Sequence, residues 1–270
     1  MTQAKLLFAI TVATLLIALG PFIPADIEII GQQQKEHGTN RTSPFNAVTQ
    51  EPSTSILANQ SSAWIDSFNL ENCDLTSTGA NTYFILEPGY QLVLEGQEDR
   101  IPIQMTITVL NETKLVNGTE TRIVEEKTIE DGDLAEISDN YFAVCRQTND
   151  IFYFGEDTDF YKDGKIISHN GSWQAGINNA RAGMIMPDKA EVGLKYYQEL
   201  AIGIDEGRAE IVSLDEVMDT PAGNIQQALK TEETTTLEPG EKEYKFYAPG
   251  IGLIQDDTLK LAKYELPNTS

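Results

Sequence analysis

Ile101-Pro102-Ile103-Gln104-Met105-Thr106-Ile107-Thr108-Val109 decides the fold class. Apolar side chains fill every second position, and Pro102, Gln104, Thr106 and Thr108 stand between them. Successive side chains of an extended chain point to opposite faces. A period of two therefore reads as a strand with one face in a core and the other in water. Turn dipeptides recur on either side: Pro88-Gly89 before it, and Asn117-Gly118, Asp131-Gly132, Asp163-Gly164, Pro239-Gly240 and Pro249-Gly250 after it. Asn-Gly and Asp-Gly suit primed hairpin turns, whose two central residues both take positive φ. β-Branched and aromatic clusters such as Ile151-Phe152-Tyr153-Phe154 and Tyr244-Lys245-Phe246-Tyr247 lie between the turns, and no long window carries a helical stripe. Residues 81–266 are expected to form a mainly β domain. Its form is one antiparallel, strongly curved sheet or half barrel of about ten to twelve strands.

Leu6 to Pro24 is the one long apolar stretch, preceded by Lys5 and broken by Gly20-Pro21 and Pro24. These are the parts of a signal peptide, and the run also has about the length, roughly 20 residues, that crosses a bilayer. Residues 1–24 are thus expected as an apolar helix, either a cleaved signal peptide or an N-terminal membrane anchor, with membrane contact only through residues 6–24. Residues 25–80 are expected as a polar flexible stalk. From Gly31 to about Ser62, Gln, Thr, Ser, Asn and Pro dominate, too little apolar surface to offset the entropy of ordering. Trp64, Ile65, Phe68 and Leu70 interrupt the polar run and suggest a short helix or first strand docked on the domain. Residues 267–270 form a tail. The N-x-[ST] sequons at Asn40, Asn59, Asn111, Asn117, Asn170 and Asn268 make sense as glycan acceptors on an exported chain. The expected location is extracellular: secreted, or anchored to the outer face of the cytoplasmic membrane of an archaeal or bacterial cell.

The formal net charge of −23 repels nucleic acid and anionic lipid headgroups, so no nucleic-acid partner is expected. Cys73 and Cys145 are the only cysteines. An oxidising compartment favours a disulfide between them, while the apolar run Tyr141-Phe142-Ala143-Val144-Cys145 leaves a buried free thiol open.

Gly171 to Gly193 departs from the hairpin rhythm, with small residues and glycines around Trp173, Met184 and Met186. It reads as a long ordered loop, either a binding element or a plug on the open side of the sheet.

The motifs Phe154-Gly155-Glu156-Asp157, Gly171-Ser172-Trp173-Gln174-Ala175-Gly176, Met186-Pro187, Tyr197-Gln198-Glu199, Thr220-Pro221-Ala222-Gly223, Leu237-Glu238-Pro239-Gly240 and Tyr247-Ala248-Pro249-Gly250-Ile251-Gly252-Leu253 occur in that order. Together, from about Asn81 to Glu265, they resemble a widespread family of uncharacterised secreted β-rich proteins of bacteria and archaea, the TapB-like proteins. The resemblance implies a curved antiparallel sheet similar to lipoprotein-carrier half barrels, and carries no activity. The chain departs from the family pattern at Asn140-Tyr141-Phe142-Ala143-Val144-Cys145, where the family has Asp-Trp-Tyr-Ala-Gln-Asp, and at Phe152, where it has Trp.

Hydrolase signatures fail. Gly171-Ser172 is no nucleophile elbow, and the only histidines are His37, in the polar run, and His169. Carboxylates concentrate in Gly155-Glu156-Asp157-Thr158-Asp159, where alternation puts Asp157 and Asp159 on one strand face, roughly 6–7 Å apart. Glu156, Asp157 and Asp159 are the weak catalytic candidates for glycosidase-like chemistry. The same oxygens suit Ca²⁺, the one cofactor the sequence raises, as does the acidic turn Glu130-Asp131-Gly132-Asp133. The leading expectation is a non-enzymatic, exported ligand-binding or envelope interaction domain. It would take an apolar small molecule or a glycan through Trp173, Met184, Met186, Tyr196 and Tyr197. A carbohydrate-active enzyme using an acidic pair, or a purely structural envelope component, stand as alternatives.

Overall fold

The computed structural model describes residues 63–266. The expected apolar helix, the polar run Gly31–Ser62, the tail, His37 and the sequons at Asn40, Asn59 and Asn268 lie outside them. Three two-residue strands come first, β1 (Leu75–Thr76), β2 (Gly79–Ala80) and β3 (Ile85–Leu86). A meander of long strands follows: β4 (Gln91–Glu98), β5 (Ile101–Val116), β6 (Thr119–Glu130), β7 (Asp133–Cys145) and β8 (Ile151–Lys162). Then come the short strands β9 (Lys165–Ser168), β10 (Trp173–Gln174), β11 (Arg181–Met186), β12 (Lys195–Tyr197) and β13 (Glu199–Leu200). A second meander completes the described chain: β14 (Gly207–Thr220), β15 (Gly223–Thr235), β16 (Glu243–Ala248), β17 (Gly252–Asp256) and β18 (Leu259–Glu265). Among the described residues there is no α-helix, only a 3₁₀ turn at Leu70–Asn72.

The quoted stretch is the first half of β5. Ile103, Met105, Ile107 and Val109 are buried, while Ile101, at the strand's outer end, is exposed. The strand continues to Val116 through a bulge between Val109 and Thr113. There the buried Arg122 guanidinium takes over the bonding, donating to the carbonyl oxygens of Asn111 (2.6 Å) and Ser77 (2.9 Å). Bulges leave backbone groups out of the ladder, and buried carbonyls need a donor.

Asn117-Gly118, Asp131-Gly132 and Asp163-Gly164 take positive φ at both residues and join β5 to β6, β6 to β7 and β8 to β9. The same geometry joins β4 to β5 at Asp99-Arg100, which carry no glycine signal.

Thirteen strands form one antiparallel path, β12-β14-β15-β16-β17-β18-β4-β5-β6-β7-β8-β11-β13. The result is a nearly closed barrel of thirteen strands, where the sequence suggested a half barrel of ten to twelve. The additional strands come from Gly171–Gly193 and the residues just after it. β10 and β11 pair with β8, so that segment is a stretch of wall as well as a loop. The two ends of the path belong to one piece of chain: only Gln198 separates β12 from β13.

The barrel also reaches further toward the N-terminus than residue 81. Cys73 forms a disulfide with Cys145, and β1 pairs with the end of β7. Ile65 bridges to β12 in parallel, giving Ile65 N–H to Lys195 O and Tyr197 N–H to Ile65 O, each 2.9 Å. The docked first strand suggested by Trp64 and Ile65 is thus this bridge, and of residues 63–80 only Ile65 and β1 add to the main sheet.

Candidate functional site

The barrel interior has two chemically distinct parts. One is an apolar cavity of about 50 Å³ lined by Phe84, Tyr90, Ile107, Val124, Phe142 and Leu253 among others, with Gln198 and Lys245 as its polar members. The other is a layer of acids. Glu126, Glu136, Glu156, Glu199, Asp205, Glu233 and Asp256 are all buried. A file of aromatic rings connects the two parts: Phe84 to Phe142 (5.2 Å), Phe142 to Tyr153 (4.8 Å) and Tyr153 to Trp173 (5.4 Å).

Strand parity puts the acids inside. On β6, Val124, Glu126 and Thr128 share the buried face, and on β8 Glu156, Thr158 and Phe160 do the same. Glu156 Oε2 accepts from the Ser138 hydroxyl (2.8 Å) and the Thr158 hydroxyl (3.0 Å), while Oε1 has no donor. Glu126 has no hydrogen-bond donor at either oxygen. Lys245 enters the layer from β16, with its Nζ 3.4 Å from Asp256 and 3.6 Å from Glu233. Burial opposes its charge, but Asp256 and then Glu233 hold it well above the ordinary lysine range.

So many carboxyls cannot all ionise where water is excluded, because desolvation disfavours the charged form. Burial pushes Glu199 and Glu136 up to about 8 and Glu156 up to about 7, the Ser138 and Thr158 hydroxyls restraining Glu156. Glu126 and Asp205 are raised well above the carboxylate range by burial, with the Glu136 charge adding to the first and that of Glu199 to the second. Burial thus shifts Glu126, Glu136, Glu156, Glu199 and Asp205 toward the neutral, protonated form.

The outer face has a cleft of about 180 Å³ between the loop after β10 and the turn after β13, lined by Asp157, Ser172, Trp173, Gln174, Asn178 and Ile202 among others. Asp157 accepts from Lys114 (2.6 Å), Tyr141 (2.7 Å) and Gln174 (2.9 Å). Partial burial pushes its carboxyl upward, but these bonds outweigh that and hold it below its ordinary value.

Asp157 and Asp159 share the outward face, as alternation requires, and Asp159 lies 2.6 Å from His169 Nδ1. Glu156 is on the other face of the same strand. The carboxyl raised in the manner of a general acid is thus separated by the sheet from the one that stays ionised. A glycosidase needs the two flanking one bond. The Glu130–Asp133 stretch is the β6–β7 hairpin turn, and among the described residues no three or more His, Cys, Asp or Glu side chains gather as a metal cage.

Of the five expected contact residues, only Trp173 lines one of these two spaces, the outer cleft. Met186 and Tyr196 are fully buried in the core, Met184 is half-buried opposite Phe152, and Tyr197 stacks edge-on against Trp64 at 6.2 Å. Sequence reading missed Glu126, Glu136, Glu199, Asp205, Glu233, Lys245 and Asp256. For Glu126 the signal was its parity with Val124 within one strand. No protein-family model, curated protein or solved structure matches the chain.

Proposed function

We propose that this chain is an exported, non-enzymatic binding protein whose barrel takes a small apolar molecule, or the apolar end of a larger one. The apolar cavity carries this reading, because an interior lined by Phe84, Ile107, Val124, Phe142 and Leu253 keeps unfilled space in an otherwise close-packed core. The Cys73–Cys145 bridge suits an oxidising compartment. The sequons at Asn111, Asn117 and Asn170 are exposed, as glycan acceptors must be. The acidic balance argues against nucleic acid. Kinship with TapB-like secreted proteins belongs to the same proposal, on the ordered motifs alone.

Xenon is the probe of choice, since apolar cavities bind it with little demand on shape. Methyl signals of Ile107, Val124 and Leu253 in the full chain are expected to shift and saturate with xenon pressure, and Val124→Phe is expected to abolish the effect. Methyl signals that ignore xenon would remove the binding reading and leave a structural envelope component.

A further inference from the structure

The barrel is closed by its shortest pieces. β12 pairs with β14 over three residues, and β13 with β11 over two. After β13 the chain turns back on itself through paired bonds between Ala201 and Asp205, then rejoins the wall where Gln198 N–H donates to Gly207 O (2.9 Å). Outside, Ile65 lies along β12, and Arg181 of β11 donates to Asp66 O (3.2 Å), so a strap of two residues spans the join.

This seam separates the two spaces. Gln198 lines the interior cavity, while Ala201, Ile202 and Ile204 line the outer cleft. Between them sit Glu199 and Asp205, about 1% and 0% exposed, their carboxyls beside each other. Neither Asp205 oxygen nor Glu199 Oε2 has a backbone or hydroxyl donor. Their charged and titratable neighbours are Glu156 and Tyr153 of β8, Glu233 of β15 and Lys245 of β16, with the Trp173 indole of β10 beside Asp205. The one cation among them is already held by Glu233 and Asp256.

We propose that the seam, residues 195–207, is a proton-operated gate between the outer cleft and the interior cavity. It is shut while Glu199 and Asp205 share protons and parts when both ionise. Two adjacent carboxylates with no free cation repel, and water reaches them only if the short strands separate. Burial raises both carboxyls above the ordinary range, so the pair keeps its protons to higher pH than exposed acids do. The biological use of the gate rests on the binding reading; its existence does not.

Hydrogen–deuterium exchange on the full chain, corrected for intrinsic rates, tests it between pH 5 and pH 8. Protection of the Tyr197, Gln198, Ala201 and Asp205 amides is expected to fall about tenfold per pH unit for each proton released on opening. Amides of β5 and β6 are expected to hold. The pair Glu199→Gln and Asp205→Asn is expected to keep the seam protected throughout. Seam protection that ignores pH, or that falls together with β5 and β6, overturns the gate on the native chain even if the variants do not fold. Seam opening with no xenon uptake at any pH upholds the gate and ends the binding reading instead.

Discussion

Glu156 and Asp157 are neighbours in β8 with opposite fates. Asp157 points outward and accepts three hydrogen bonds, one from a lysine, and stays ionised below its ordinary value. Glu156 points inward, receives two hydroxyls and is pushed up to about 7 by burial. One step along a strand changes the medium from water to protein interior. That change outweighs the chemical identity of the two side chains. The same contrast divides the wall: outside, carboxyls paired on a surface; inside, acids such as Glu126, Glu136 and Glu199 whose hold on a proton burial strengthens.

The sharpest way to break the contrast is to remove the interior's cation. Lys245→Met removes the ammonium held between Glu233 and Asp256 and is expected to cost about 3–5 kcal/mol in urea unfolding. A loss near zero would mean that the attraction at Lys245 does no more than offset the cost of burying its charge. Opening the Cys73–Cys145 bridge, which closes 72 residues of sequence, is expected to cost about 4 kcal/mol on chain entropy. It sharpens the comparison because a covalent tie, unlike the acids, should lose the same amount at every pH.

Gly183→Ala comes next. A Cβ there would stand 2.1 Å from Gln198 O, backbone that cannot yield without moving β12 and β13. A loss of about 1–3 kcal/mol is expected, with exchange rising first at the seam.

Stability should also fall with rising pH. Glu199, Glu136 and Glu156 have folded values of about 8, 8 and 7, above the unfolded carboxylate value of about 4.3. Between those limits the folded chain holds protons that the unfolded chain has released. Their contribution is therefore full below about pH 4 and is lost as pH rises through 8. Urea midpoints at pH 5 and pH 8.5 decide it, and a higher midpoint at pH 8.5 would refute the neutral-acid interior. The smallest effect belongs to the outer face. Asp157 has a half-exposed side chain, so Asp157→Asn is expected to cost no more than about 0.5 kcal/mol, less in salt.

The long wall was legible because its strands carry alternation and its turns carry residues that tolerate positive φ. Ile103 to Val109, Asn117-Gly118 and Asp131-Gly132 are the clearest cases. The seam was not, since two- and three-residue strands are too short to display a period. Gly183, with Gln198 O standing where a β-carbon would go, reads in the sequence as one more loop glycine. The acids were hidden for another reason. In a chain of 42 Asp and Glu residues, a carboxylate is expected on the surface, and only register against an apolar neighbour such as Val124 marks the inward ones. The aromatic and methionine residues read as ligand contacts in the sequence, yet Tyr196 and Met186 are fully buried in the core.

The strap at Ile65 and the bridge at Cys73 have a mechanical consequence. Tension applied at Ala63 has to free Ile65 from its two hydrogen bonds to β12 and Asp66 from Arg181. The chain then runs out at Cys73, at most about 35 Å from Ala63 at full extension. Beyond that point the load passes through the covalent link to Cys145 at the end of β7, and the loop that the bridge closes is spared. Under pull the molecule would lengthen by a fixed small step and then stiffen, and that step frees the strap from the seam.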